Sequence, residues 1–355
     1  MGLFIRQNVI VLILIVAVPM FAMSIAHAVV CVNDPLLTQQ WGWYRIGADH
    51  AYESGVSGLG VIVAVIDSGV DLNHPDLSEN IIEGWNYVDN NDDVMDYDGH
   101  GTMVTGIIAA IADNDEGIAG VAPKVSIMPL KVWSSGSVSW VDLDKAIMRA
   151  AHSGARIISI SLGDDSLPSG VEAAIDHAYQ DGCLVVAAVG NGNTDEPIYP
   201  AACENVIAVA GIDQASIKAA SSNYGEYIDF CAPGVDILTT SKDGGYAYGS
   251  ATSVAAPFVT GVIALMISKY PQLTNEEILG TLRVEAEDLG EIGWDQYYGW
   301  GLVDADAACS ETPIPEFSCL LPILFLLVSV WLIGVKFARA EPQLFGVTLA
   351  VIFFQ

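Results

Sequence analysis

The chain has 355 residues, of which 52% are hydrophobic, and carries a formal net charge of −30. That length supports one large domain with a well-buried core. So acidic a balance excludes a nucleic-acid binder, whose phosphates require Lys and Arg, and favours a soluble, self-repelling surface able to gather divalent cations.

The apolar residues gather at the two ends, while residues 29–316 hold 42 acidic and 10 basic side chains, a formal −32. Residues 1–28 contain one charge, Arg6, then the apolar run Val9–Val18 and the small-x-small triplet Ala26-His27-Ala28. This pattern predicts a secretory signal peptide, and an uncleaved membrane anchor is the alternative; with either, the chain from residue 29 onward is exported. Residues 29–310 read as a single domain. Its first strong strand, Val61–Ile66, runs directly into Asp67, and Asp98-Gly99-His100-Gly101-Thr102 follows with His100 opening a helix. Strands are then predicted over Val125–Leu130, Arg156–Ser161, Leu184–Val189 and Val206–Ala210. Helices are predicted over Asp142–His152, Val171–Gln180, Ala255–Ser268 and Asn275–Val284. Strands apolar on both faces and separated by helices indicate an α/β three-layer domain, a central, mostly parallel sheet with helices on both faces. In such sheets the working groups collect at strand carboxyl ends and helix N-termini, where Asp67, His100, Asn191 and Ser253 all fall.

Residues 311–318 form a short linker, and the apolar stretch Cys319–Val335, followed by Lys336 and Arg339, predicts a membrane helix over 319–339 with a cytoplasmic basic flank. The tail 340–355 is apolar, too short to span, and unassigned. Five cysteines precede the tail, so at least one is free or bonded elsewhere. Export permits disulfides, and Cys31 with Cys309 and Cys183 with Cys203 are the candidate pairs.

Three separated segments carry the chemistry: Ile66-Asp67-Ser68-Gly69, Asp98-Gly99-His100-Gly101-Thr102 and Thr252-Ser253-Val254-Ala255-Ala256-Pro257. Their order, Asp then His then Ser, resembles the subtilisin-like serine proteases, and the likeness spans roughly residues 40–308. Asn73-His74-Pro75-Asp76-Leu77, Gly120-Val121-Ala122-Pro123, Tyr199-Pro200-Ala201 and Gly299-Trp300-Gly301 recur in the expected order. The resemblance implies Ser253 as nucleophile, His100 as general base and then acid, and Asp67 as the group holding the imidazole. It further implies Asn191 as oxyanion donor, with the Ser253 backbone N–H as the second. Ser161-Leu162-Gly163 and Ala187-Ala188-Val189 would be two edges that pair with an extended polypeptide substrate, and Ile198 the floor of the specificity pocket. Calcium is the implied cofactor. Asp76 and Asn114 match one family site, and Asp89, Asn91 and Asp93 resemble a second, as in thermitase-like members; a solvated acidic loop is the other reading of the latter. At the tail, Pro313-Ile314-Pro315-Glu316-Phe317 resembles archaeal Pro-Glu-Phe sorting tags, which are processed at the membrane; a plain anchor is the alternative.

Some features depart from the family pattern. About twenty residues separate Ala28 from Gly47, too few for the usual pro-segment. Ala251 stands where the family has a glycine, so a positive φ there would strain the backbone. Met103 and Phe258 replace common histidines. The expectation is a secreted, surface-tethered serine endopeptidase acting through an acyl-enzyme. The competing reading is a catalytically impaired surface binding module, and a transpeptidase would share the same acyl-enzyme.

Overall fold

Residues 32–135 and 137–310 are described by the computed structural model. The signal segment, Cys31, the sorting motif, the 319–339 helix and the tail all lie outside them.

The strands in chain order are β1 (Ile62–Asp67), β2 (Trp85–Asn86), β3 (Ser126–Lys131), β4 (Trp133–Ser134), β5 (Ser137–Val138), β6 (Ile157–Ile160), β7 (Leu184–Ala188), β8 (Val206–Ile212), β9 (Phe230–Pro233), β10 (Ile237–Ser241) and β11 (Gly245–Gly249). The helices are α1 (Trp41–Arg45), α2 (Ala48–Glu53), α3 (His100–Ala109), α4 (Leu143–His152), α5 (Val171–Gln180), α6 (Thr252–Lys269), α7 (Asn275–Glu285) and α8 (Ala305–Ser310). Seven strands form one sheet in the order β2-β3-β1-β6-β7-β8-β9, and every pairing in it is parallel. Strands β7 and β8 are buried throughout, as expected of central strands covered on both faces by helices. The α4–α5 pair and the α3–α6 pair pack on the sheet, giving the three-layer α/β fold.

Chain order reverses at β1, whose neighbours are β3 on one side and β6 on the other. Strand order that switches in this way opens a crevice beyond the carboxyl ends of the strands. Ile66 pairs in register with Ile160, so Asp67 and Ser161 leave the sheet side by side.

Helix α6 is apolar on all sides because it is buried against β6–β9, with only its amino end near the crevice. It is the one helix among the described residues long and apolar enough to cross a bilayer, and its burial marks it as the domain's core helix. Helix α7 begins with a full capping box: Thr274 accepts from the Glu277 N–H, and the Glu277 carboxylate accepts from the Thr274 N–H.

The Cys183–Cys203 pairing is overturned. Both cysteines are buried free thiols, as are Cys231 and Cys309. Strand β7 lies between β6 and β8, and the Cys183 thiol turns toward the β6 side, donating to the Ala155 carbonyl at 2.9 Å. It therefore faces away from the strand that Cys203 precedes. Burial pushes the Cys183 and Cys203 thiols up to about 11, which keeps them protonated and inert.

Candidate active site

Asp67 is the last residue of β1 and is 1% exposed. Its Oδ1 accepts from the Ser68 N–H at 2.7 Å, and both carboxylate oxygens face His100 Nδ1, at 2.8 and 3.0 Å. His100 opens α3, and the close approach of that helix to β1 depends on Gly101. A Cβ there would lie 2.1 Å from the Gly69 carbonyl oxygen and 3.2 Å from Asp67 Cβ.

The register of α3 against β1 is set by Asp96, which sequence reasoning passed over. This buried carboxylate accepts from Ser68 Oγ, the Asp98 and Gly99 N–H groups, and both the N–H and the hydroxyl of Thr102. Ser68 in turn accepts from the Gly101 N–H at 2.8 Å. Burial pushes the His100 pKa down, but the charge and hydrogen bond of Asp67, helped by Asp96 and Asp98, outweigh it and hold the imidazole above its ordinary value. The Trp133 ring covers His100, with centroids 4.8 Å apart.

Ser253 is the second residue of α6. Pro257 inside that helix has no N–H to offer the carbonyl four residues back, which is that of Ser253. The Ser161 hydroxyl donates to that carbonyl instead, at 3.0 Å, and the Ser253 hydroxyl donates to the Ser161 carbonyl at 3.3 Å. Ser161 thus ties the start of α6 to the end of β6, next to the end of β1 that carries Asp67. Here the Ser253 hydroxyl faces Ser161 rather than bonding to His100.

Asn191 reaches the same helix start. Its Oδ1 accepts from the Thr252 N–H at 2.8 Å, while Thr252 Oγ1 accepts from the Gly190 N–H at 3.2 Å. With the amide oxygen pinned, Asn191 Nδ2 is left to donate elsewhere, beside the start of α6 where the Ser253 N–H stands.

The two expected substrate edges fare differently. Gly163 is exposed beyond β6, flanked by the nearly buried Ser161 and Leu162. Ala187-Ala188-Val189 is no open edge, and that expectation is corrected. Ala187 lies between β6 and β8, and Ala188 pairs with Val209. The Val189 N–H donates to Val209, and its carbonyl accepts from Asn223 and Tyr227. Ile198 packs between Gly163 and Gly190: a Cβ on Gly163 would lie 2.4 Å from Ile198 Cγ2, and one on Gly190 would lie 3.1 Å from its Cγ1.

Ala251 has φ −173° and ψ 168°, extended backbone that any residue adopts, so the anticipated strain is absent. Phe258 is core, and Met103 lies against Gly249 at the α3–α6 contact.

Asp76 is fully buried, with Oδ1 accepting from Asn114 Nδ2 at 2.8 Å and Oδ2 from the Ile118 N–H and Tyr246 hydroxyl. The structure adds Asp34, whose carboxylate accepts from the Asp113 and Asn114 N–H groups. Burial pushes Asp34 up to about 6 despite those bonds, with the Asp76 and Asp113 charges adding to the rise. Burial also raises Asp76 above the usual carboxylate range. Two desolvated carboxylates that repel one another suit an oxygen-seeking cation. Asp89, Asn91 and Asp93 are exposed, and Asn91 and Asp93 accept from backbone N–H groups of their own loop, at Asp93 and Met95.

Residues 58–301 match the Subtilase family, Peptidase_S8. The chain belongs to that family. It is 40% identical over 275 residues to thermitase of Thermoactinomyces vulgaris, covering 77% of this chain and 97% of thermitase. Subtilisin Savinase of Lederbergia lenta is 39% identical over 269 residues, covering 76% and 97%. A thermophilic serine proteinase of Bacillus sp. (strain AK1) is 40% identical over 267 residues, covering 75% of this chain and 66% of its own length. Among solved structures, a protease from Pseudoalteromonas arctica PAMC 21717 superposes with a TM-score of 0.74 at 30% identity, covering 79% of this chain and 98% of the other. This subtilase is accordingly a serine-type endopeptidase of the subtilisin family.

Proposed function

We propose that Asp67, His100, Ser253 and Asn191 carry the peptidase reaction of this subtilase. The observation that supports this most strongly is the Asp67–His100 pair at 2.8 Å, set beside the start of α6 by the Ser161–Ser253 bonds. Rotation of the Ser253 hydroxyl away from the Ser161 carbonyl frees it to give its proton to His100 Nε2 as the oxygen attacks the substrate carbonyl. Asp67 keeps Nδ1 protonated and steadies the imidazolium, which then returns the proton to the leaving amine. Asn191 Nδ2 and the Ser253 N–H receive the oxyanion, and water resolves the acyl-enzyme by the reverse path. The extended backbone of Ala251 removes one of the reasons for an impaired binding module.

The substrate is an extended polypeptide lying along Ser161-Leu162-Gly163, and Ile198 shallows the pocket behind Gly163 so that small side chains are preferred at the cleavage position. A structural calcium held by Asp76, Asn114 and Asp34 neutralises the buried charge of the two carboxylates and steadies the fold without entering the chemistry. The exposed loop at Asp89, Asn91 and Asp93 is not part of this assignment. The enzyme is exported by residues 1–28 and tethered or sorted through 313–339.

An active-site fluorophosphonate followed by peptide mapping tests the central assignment. Labelling at Ser253, abolished in Ser253→Ala together with casein cleavage, is expected; labelling elsewhere, or unchanged cleavage in the variant, rejects it. For the pocket, Ile198→Gly should raise the ratio of kcat/KM for Phe over Ala at the cleavage position at least about 10-fold. An unchanged ratio refutes the role of Ile198.

A further inference from the structure

Away from the catalytic crevice, three side chains from two crossover helices converge on one surface point. His152 is the last residue of α4, His177 lies in the last turn of α5, and Asp181 caps that helix. One ligand-type atom from each residue lies within 4.8 Å of the other two, and all three residues are exposed. We propose that His152, His177 and Asp181 form a surface site for a divalent transition-metal ion of the zinc class, stapling α4 to α5.

The spacing is close to that of ligands around an ion, one pair matching it and the other atoms needing small side-chain rotations to close in. His177 Nε2 and Asp181 Oδ2 are 3.4 Å apart, longer than an ordinary hydrogen bond. Zinc binds imidazole nitrogen and carboxylate oxygen near 2.0–2.1 Å, so two tetrahedral ligands sit about 3.3 Å apart. The two imidazoles have centroids 5.7 Å apart at 84°, against roughly 5 Å for two rings on one zinc ion. His177 and Asp181, four residues apart, share a helix face, as paired ligands on a helix require. Both helices also present their carboxyl ends here, where the macrodipole favours a cation. The net charge of −30 raises the local cation concentration further. Two imidazoles and one carboxylate select zinc, copper, nickel or cobalt over calcium, which prefers six to eight oxygens.

The site is remote from catalysis. Residues 152 and 181 lead into the amino ends of β6 and β7, whereas Asp67 stands at the carboxyl end of β1 in the same parallel sheet. The bound ion therefore acts on stability.

Full-length Ser253→Ala protein, which cannot digest itself, is titrated with Zn2+ by calorimetry and with Co2+ by visible absorption. One equivalent of Zn2+ with micromolar or tighter affinity and a tetrahedral Co2+ spectrum are expected. Adding His152→Ala or His177→Ala should weaken binding at least about 10-fold, whereas adding His50→Ala should leave it unchanged. At a hundredfold excess over the parent Kd, zinc should raise the parent Tm by about 5 °C and that of either site variant by no more than about half as much. The metal-free Tm of each variant, equal to that of the parent, shows that it is folded. Absence of micromolar zinc uptake by the parent, or undiminished uptake in folded His152→Ala or His177→Ala, overturns the proposal.

Discussion

At His100, burial and charge act against each other, and charge prevails because three carboxylates, Asp67, Asp96 and Asp98, are close by. A general base must be neutral, so activity rises with pH as His100 loses its proton, and a raised pKa moves that acid limb above the ordinary histidine value of about 6.5. Asp98 contributes through its charge, and its own carboxylate accepts from the Ser135 N–H. Asp98→Asn removes one raising charge, so the acid limb of kcat/KM should move to lower pH while the plateau is largely kept. A pH–rate profile checks this, and an unmoved or upward-shifted limb would contradict the assignment. The residues proposed to react stand in recognisable motifs, whereas Asp96 does not, although it stands only four positions before His100. A buried carboxylate and a solvated one look alike until the fold shows which N–H groups point at it.

Among the elements, α6 shows how a local defect becomes a tertiary joint. Pro257 would usually weaken a helix by removing a donor, yet the orphaned Ser253 carbonyl is served by Ser161 from the neighbouring strand exit. In a Ser253→Ala background, Ser161→Ala should cost about 1 kcal/mol in denaturant unfolding, because it leaves a partly buried acceptor unpaired. Pro257→Ala restores a helical N–H to that carbonyl, so the double variant should lose less than the sum of the two single ones. Strict additivity would show that the Ser161 bond does not replace the missing one. The sequence predicted the long helices and central strands to within a few residues, because continuous apolar runs mark α6 and the central strands and an amphipathic pattern marks α4 and α5. It did not predict β9, the β10–β11 hairpin or the short β2, β4 and β5, whose two to five residues offer too little pattern.

Over the whole molecule, the acidic excess is mostly exposed, and the exceptions mark where compensation is needed. Asp34 and Asp76 hold carboxylates in a desolvated place, each raised above its usual range with burial as the largest cause. Chelation of calcium should lower Tm by about 5 °C or more if the ion is normally present at a hundredfold excess over its Kd. Asp76→Ala, with its buried partners left intact, should abolish that calcium-dependent increment in a thermal melt. A Tm indifferent to calcium in the parent protein would remove the cation from this account. The −30 net charge foretold attraction for divalent ions but not their place.

The sequence by itself determined the fold class and the placing of Asp67 at a strand end and of His100 and Ser253 at helix starts. Each of these follows from short-range periodicity or from a contiguous motif. The tertiary structure alone decided that Cys183 and Cys203 remain thiols, that Ala187 and Ala188 are interior strand, that Ala251 is unstrained, and that Asp34 joins Asp76. Those outcomes depend on which neighbour a side chain faces across the sheet or between loops far apart in the chain, and pairing of that kind is fixed by packing rather than by any local pattern.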